Sequence, residues 1–140
     1  MAQLRSSTSA GVGTARVFDA RNGVTIQVFV SNMIPGTYRV ALHERGNCSS
    51  ANMYSAGPAW APPGWTKAPG ELLPPFSANM EGSEAGYVAR IDGVSTDGPT
   101  SIRGRSVVIH WGNIVGEAFP GQPNNRVLCG VLEPATALRF

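Results

Sequence analysis

The sequence predicts an all-β domain of seven or eight short strands, arranged as a sandwich or a barrel. Three observations lead to this prediction. Apolar and polar residues alternate along several segments, which is the period of a half-buried strand. The 17 glycines and 11 prolines among 140 residues favour short strands joined by turns and loops. No segment carries the apolar stripe of an amphipathic helix.

The first strands are indicated by alternation and by turn residues. Residues 15–20 (ARVFDA) form a weak strand pattern, and the Asn22-Gly23 pair that follows predicts a hairpin. Residues 23–30 (GVTIQVFV) then form a clear half-buried strand. Its apolar residues share one face: Val24, Ile26, Val28 and Val30.

The next strand follows a turn at Pro35-Gly36 and extends to residue 44. In this strand Ala41 and His43 share one face. The opposite face is apolar and consists of Tyr38, Val40 and Leu42.

The rest of the chain combines one long loop region with further strands. Residues 46–82 are rich in Gly, Pro, Ser and Asn, and loops of this length in a compact domain are usually functional or disordered. Strand patterns return at residues 86–94, 105–111 and 125–133.

Composition limits the class of protein. Apolar residues make up 42% and charged residues 14%, which is typical of a globular chain, and 140 residues suffice for a single domain spanning 1–140. No apolar run is long enough to span a bilayer. The arginines are scattered at a net charge of +2, which argues against nucleic-acid binding. Residues 1–11 are predicted to be a disordered lead-in that lacks the apolar core of a signal peptide.

The chain contains two cysteines, Cys48 and Cys129. Their spacing alone leaves two alternatives, a pair of buried thiols or a disulfide. A disulfide closing a loop of about 80 residues would stabilise the fold by roughly 4 kcal/mol.

Four segments resemble, in order, motifs of the Cu,Zn superoxide dismutases, especially the bacterial type. PGTYRVALHERGNC resembles the copper-ligand strand, SAGPAW the loop that bears a metal histidine, GRSVVIHW the strand of the last copper histidine, and NRVLCGVL the closing strand. The resemblance covers about residues 13–132. It implies an eight-stranded antiparallel Greek-key β-barrel with an immunoglobulin-like sandwich architecture.

The resemblance also implies a disulfide between Cys48 and Cys129 that ties the long loop to the last strand. A structural disulfide indicates an oxidising compartment, so a periplasmic or extracellular location is expected.

The family's four copper histidines correspond to Ala41, His43, Ala59 and His110, so two are lost and two are retained. Both histidines of the sequence therefore stand at copper-ligand positions. The resemblance implies a site for one copper ion. Two imidazoles suit Cu(I), a soft ion, better than Cu(II), which prefers a tetragonal set of N and O ligands. A soft third ligand could come from a methionine: Met33, Met53 or Met80.

No zinc site is expected. The segment that carries zinc histidines in the family reads APPGWTKAPGELLPP here and contains none. Glu71 is the best match to the family's zinc aspartate, and a lone carboxylate cannot build a tetrahedral zinc site.

Efficient dismutation is not expected either. In the family, the histidine at the position of Ala59 bridges the two metals and carries a proton as copper cycles. Arg126 corresponds to the arginine that attracts superoxide, or else it is a structural arginine that binds the disulfide loop. Residues 111–128 contain one acidic residue, Glu117, so electrostatic steering is weak.

The tryptophans and one glutamate complete the candidate residues. Trp60 and Trp111 directly follow ligand positions and form either an aromatic lid over the site or ordinary core. Trp65 is a candidate exposed contact for a partner. Glu44 matches a structural glutamate of the family.

Three functions remain open at this point. The first is a non-catalytic copper-binding protein that uses His43 and His110 and exchanges copper with a copper-handling protein. The second is a metal-free structural or interaction module. The third is a copper-only dismutase of low activity that relies on Arg126. The oligomeric state is left open.

Overall fold

The computed structural model describes residues 2–4, 12–50, 52–62, 64–65, 73–78, 83–96, 101–112 and 124–132. Within these ranges the chain forms eight strands and one short 3-10 helix, η1 (Tyr54–Ala56). The strands are β1 (Ala2–Leu4), β2 (Val12–Ala20), β3 (Gly23–Met33), β4 (Gly36–His43), β5 (Phe76–Ala78), β6 (Ser83–Asp92), β7 (Ser106–Trp111) and β8 (Arg126–Val131).

The strands form two four-stranded sheets whose neighbours are all antiparallel. One sheet has the order β1-β2-β3-β6 and the other the order β5-β4-β7-β8. The inward faces of both sheets contribute to one large apolar core. This confirms the predicted all-β class and is consistent with the predicted sandwich or barrel.

The hairpin between β2 and β3 is present, with its turn one residue earlier than the Asn22-Gly23 pair suggests. Ala20 already pairs with Gly23, so the two turn residues are Arg21 and Asn22. Asn22 has a φ of 64°, a left-handed conformation that asparagine tolerates better than most residues. Beyond the turn, the predicted inward face of β3 is buried as expected: Val24, Ile26, Val28 and Val30.

Two three-residue strands were not predicted. The segment Ala2–Leu4, which lies within the expected disordered lead-in, pairs with β2 as β1 and buries Ala2 and Leu4. Gly130 of β8 accommodates this strand, because a Cβ there would lie 2.4 Å from the carbonyl oxygen of Gln3. β5 lies within the long loop and pairs with β4. Both strands are too short for an alternating pattern to be recognised. The other lead-in residues, 1 and 5–11, lie outside the described residues.

The two faces of β4 and β7 separate the core from the candidate site. Because directly paired residues point to the same side of an antiparallel sheet, one register determines both faces. Val40 pairs with Ile109 and Leu42 with Val107, and all four are in the main core. The opposite face is formed by Arg39, Ala41, His43, Ser106, Val108 and His110.

The loop after β4 covers this opposite face. Cys48 and Cys129 form a disulfide, which confirms that pairing and ties the loop to β8. Around it a second apolar cluster forms between loop and sheet: Met53, Ala56, Val108, Cys129 and the half-buried Cys48. In the part of the chain that the structure describes, no helix is long and apolar enough to cross a membrane.

Candidate metal site

His43 and His110 meet on the outer face of the β4–β7 pair. His43 is opposite Ser106 and His110 is opposite Arg39, so the histidines are diagonal to each other. The Ala41–Val108 pair lies between them. The Nε2 atoms are 2.9 Å apart, the two rings are 20° from parallel, and each residue is 1% exposed. The structure therefore brings the two predicted ligands together in a buried position.

A short segment of the disulfide loop fixes the ring of His43. Residues 56–60 run beside the end of β4, with backbone hydrogen bonds from Arg45 to Ala56 and from Trp60 to Leu42. This alignment presents the carbonyl oxygen of Gly57 to His43 Nδ1 at 2.7 Å. Because a carbonyl can only accept, Nδ1 of His43 carries the proton.

Asn125 fixes the ring of His110 in the same way. Its Oδ1 lies 2.9 Å from His110 Nδ1, and its Nδ2 donates to the carbonyl oxygen of Trp111 at 3.4 Å. In this amide orientation Oδ1 is the acceptor, so His110 is also protonated at Nδ1. Asn125 is 3% exposed. The sequence-based reasoning did not identify Asn125 or Gly57, although a ligating histidine generally needs an acceptor for its other ring nitrogen.

Both rings are neutral near pH 7. Burial lowers the pKa of His43 to about 4, and the neighbouring His110 and Arg126 act in the same direction. Burial likewise lowers the pKa of His110 to about 4, with Arg126 again adding to the effect. The hydrogen bonds to Gly57 and Asn125 oppose these shifts without cancelling them. With Asn125 in this amide orientation, two Nε2 lone pairs face each other and no proton lies between them.

The two alanines at lost ligand positions offer no donor atom. Ala41 is buried between the histidines, and Ala59 is exposed and forms an isolated β-bridge with His43. Within the described ranges no group of three His, Cys, Asp or Glu side chains is placed to hold a metal ion. Glu71 and Glu117 lie outside the described residues.

The two histidines have the donor atoms that a copper ion needs, but their Nε2 atoms are too close together to hold one without a small movement. Their neutral nitrogens form a two-donor set of the kind that Cu(I) accepts, whereas a tetrahedral zinc site or a tetragonal Cu(II) site needs more ligands. Metal–imidazole bonds are about 2 Å long, so an ion between the Nε2 atoms requires them to be about 4 Å apart. The rings must therefore separate by about 1 Å from the 2.9 Å observed.

Arg126 lies close to the site and is bound to the loop that covers it. Its Nη1 donates to the carbonyl oxygen of Met53 at 2.8 Å, and its guanidinium carbon lies 5.1 Å from the ring centre of Tyr54. It is paired with His110 across β7 and β8. These contacts support the structural alternative for this arginine; its attraction of an anion stays a prediction.

Of the two alternatives for Trp60 and Trp111, the structure supports ordinary core packing and not an aromatic lid. Trp60 is buried in the main core beneath the guanidinium of Arg105, 4.0 Å away, and not over the histidines. Trp111 is paired with Tyr38 on the core side of the sheet, and its ring packs edge-on against Tyr38. Trp111 and His110 are adjacent in one strand, and successive side chains of a strand point to opposite faces. Trp111 therefore points away from His110.

The other candidate residues, Trp65, the methionines and Glu44, make packing or backbone contacts where the structure describes them. Trp65 packs partly buried against the core beside Gly93, which does not support its candidate role as an exposed contact. Met33 is in the main core, whereas Met53 is buried in the loop cluster on the same side as the histidines. Met80 lies outside the described residues. Glu44 holds the loop through its backbone, donating to Pro58 and accepting from Arg105.

A comparison with known protein families identifies the same family as the four sequence motifs. A sequence model described as copper/zinc superoxide dismutase matches residues 12–132, which is most of the chain. No curated protein matches the sequence. The match includes the β4 and β7 strands of the histidine pair and both cysteines of the disulfide. The chain belongs to the copper/zinc superoxide dismutase family.

Proposed function

We propose that this chain is a non-catalytic, superoxide dismutase-like protein that binds one copper ion as Cu(I) between His43 and His110. The observation that supports the proposal most strongly is the pairing of the two Nε2 atoms at 2.9 Å while both Nδ1 atoms donate to fixed acceptors. Two lone pairs directed at one another repel in the absence of a proton or a cation. A soft monovalent cation relieves this repulsion and uses both nitrogens as ligands.

The chain itself positions the ligands and excludes water. Gly57 and Asn125 hold each imidazole in the tautomer that leaves Nε2 unprotonated. Burial keeps both rings neutral and therefore available as donors at physiological pH. Bound copper would supply one-electron redox chemistry, but a buried site with two donors favours the reduced ion.

The same residues argue against efficient dismutation. Ala59 has no nitrogen with which to carry a proton. Arg126, the candidate for attracting superoxide, already donates to the Met53 carbonyl. Storage, buffering or transfer of copper to a copper-handling protein fits these residues better than turnover. The disulfide supports a periplasmic or extracellular setting for this role.

An anaerobic Cu(I) titration against a competing chelator tests the proposal. We expect one equivalent bound by the wild-type protein, and loss of tight binding in His43→Ala and in His110→Ala, because one imidazole is a weak site. Ser49→Ala is a control on the same loop whose side chain is exposed. Copper binding that persists in the double histidine variant contradicts the proposed site.

A metal-free module is the second candidate, and one specific feature favours it. Asn125 could turn its amide so that Nδ2 donates to His110 Nδ1. His110 would then be protonated at Nε2 and could donate to His43 Nε2 across the observed 2.9 Å. This arrangement satisfies both rings without a metal, and it is expected if the titration finds no copper. Ring ¹⁵N shifts of His110 in the metal-free protein distinguish the two amide orientations.

A further inference from the structure

Between His43 and His110 the sheet offers no third donor to a metal ion. The Ala41–Val108 pair lies there, and both side chains end in methyl groups. Ser106 is level with His43 at the end away from His110, and its hydroxyl is a hard donor that suits Cu(I) poorly. A third, soft ligand is therefore expected from the loop that covers this face.

Apart from the disulfide, the described part of this loop offers one soft donor, the thioether of Met53. Met53 is 3% exposed and belongs, with Val108, to the apolar cluster between loop and sheet. The next residue, Tyr54, is 51% exposed, so the chain directs the methionine inward and the tyrosine outward. The amide and hydroxyl side chains of the loop are harder donors, and they are exposed or hydrogen-bonded within the loop: Asn47, Ser49, Ser50, Asn52 and Ser55.

The short segment 53–57 is tied to the surroundings of both histidines. At its start, the carbonyl oxygen of Met53 accepts from Arg126 Nη1 at 2.8 Å, and Arg126 is paired with His110. At its end, the carbonyl oxygen of Gly57 lies 2.7 Å from His43 Nδ1. The helix η1 between them rises only about 2 Å per residue. The same few residues therefore orient one histidine and carry the thioether beside the partner of the other.

The backbone of Met53 is fixed in an uncommon conformation. Its φ of 64° and ψ of 11° are left-handed, a region that few residues other than glycine adopt. Three hydrogen bonds hold it there: the Met53 amide donates to Ser50 at 3.0 Å, and the Met53 carbonyl accepts from Ala56 at 3.2 Å as well as from Arg126. Such over-determined residues are frequent at ligand sites. The backbone is thus held in place, while the side chain keeps three rotatable bonds with which to approach an ion.

We propose that the thioether of Met53 is the third ligand of the copper ion held by His43 and His110. This inference rests on the proposed Cu(I) site and deepens it. A thioether is a soft, neutral donor, so its addition to two imidazoles favours soft monovalent ions such as Cu(I) and Ag(I) over zinc and Cu(II). Because the sulfur belongs to the loop and the nitrogens to the sheet, an ion bound by all three also holds the loop against the sheet.

X-ray absorption at the copper edge of the full chain loaded with Cu(I) tests the proposal. We expect two nitrogens and one sulfur around copper in the wild type, and nitrogens alone in Met53→Leu. The Cu(I) affinity of Met53→Leu should fall by about tenfold or more, since even the partners of a ligand are worth that much. Leucine conserves the volume, so the fold is retained. Met33→Leu is the matched control, because Met33 is 1% exposed but lies in the main core.

Silver(I) provides a second readout without redox chemistry. In protein labelled with ¹³C at the methionine methyl groups, Ag(I) should shift one of the four methionine signals, and that signal should be the one missing from Met53→Leu. Copper bound without sulfur, at the same affinity in Met53→Leu, overturns this inference and leaves the two-histidine site intact. A sulfur contribution that persists in Met53→Leu overturns it as well. A wild-type protein that binds neither ion overturns both this inference and the proposed function.

Discussion

His43 and His110 lie with their Nε2 atoms 2.9 Å apart, and the Nδ1 atom of each is within hydrogen-bond distance of an oxygen on a different part of the chain. One acceptor is the backbone of the disulfide loop, and the other is the side chain of Asn125 next to β8. The loop, the last strand and two neighbouring strands thus all converge on one pair of nitrogens.

Removal of the Asn125 side chain should weaken copper binding. In Asn125→Ala the His110 ring loses the acceptor that fixes its tautomer, and loss of such a partner typically costs about 10- to 100-fold in metal affinity. The ¹⁵N shifts of the His110 ring should also change from a single Nδ1-protonated form to a mixture. Asn47→Ala is the control, because Asn47 is exposed and its side chain accepts a hydrogen bond from the nearby amide of Ser49. Unchanged affinity together with unchanged shifts would contradict a positioning role for Asn125.

Acid should destabilise the metal-free protein through the two histidines. The folded-state pKa of each is about 4 and the ordinary value is 6.5, so the unfolded chain binds more protons between these limits. Their stabilising effect is complete above pH 6.5 and is lost as the pH falls toward 4. The loss is at most about 1.4 kcal/mol per pH unit for each histidine.

Urea unfolding at several pH values measures this effect. The difference between the wild type and the double variant His43→Leu/His110→Leu isolates the histidines from the carboxylates, which are common to both proteins. The variant should have the flatter profile between pH 6.5 and 4. Parallel profiles would mean that the rings are not kept neutral by burial.

Reduction of the disulfide should weaken both the fold and the copper site. Cys48 and Cys129 are 81 residues apart, and opening a loop of this size costs about 4 kcal/mol in the chain-entropy description. The released loop also carries Gly57, the acceptor for His43. Cys48→Ser/Cys129→Ser should therefore unfold at lower urea and bind Cu(I) less tightly. Thiol labelling of the unfolded, unreduced wild type should detect no free cysteine, and labelling of both would remove the argument for an oxidising compartment.

Arg126→Ala should loosen the loop over the site. It removes one of two donors to the Met53 carbonyl, which still accepts from the amide of Ala56. We therefore expect the loss of a single hydrogen bond, about 1 kcal/mol. Arg126→Lys can still donate and should retain part of that stability. Hydrogen exchange of the amides in residues 53–60 measures the effect. If exchange is unchanged while superoxide turnover falls, anion attraction is the correct interpretation of this arginine.

Restoring histidines at the two lost ligand positions should change the preference of the site from Cu(I) to Cu(II). Ala59→His adds an imidazole at an exposed position beside His43, where space is available. Ala41→His adds one between the histidines in a buried position, where overpacking costs about 1–3 kcal/mol. The double variant should bind Cu(II) with the electron paramagnetic resonance signal of a nitrogen-rich tetragonal site, and the wild type should not. A tight Cu(II) signal from the wild type would contradict a two-donor site.

Much of the fold could be predicted because apolar and polar residues alternate along the longer strands, and this alternation indicates which face of each strand is buried. The alternation of Val24, Ile26, Val28 and Val30 indicates β3 and its buried face, and the same rule places Ala41 and His43 together on the other side of β4. The three-residue strands β1 and β5 carry no such signal and form because neighbouring strands offer them pairing partners. The same alternation places the adjacent residues Trp111 and His110 on opposite faces of β7.

Through the family resemblance, the sequence by itself indicated which residues correspond to ligand positions, that donors are missing at Ala41 and Ala59, and that Cys48 would pair with Cys129. Only the tertiary structure decided how the retained donors are arranged. The register of β4 against β7 places the two histidines on one face, diagonally across the Ala41–Val108 pair, and the disulfide loop and Asn125 supply the acceptors that orient them. These acceptors come from segments far apart in sequence. Their position follows from the packing of the whole domain, because hydrogen-bond geometry depends on tenths of an ångström that no local pattern specifies.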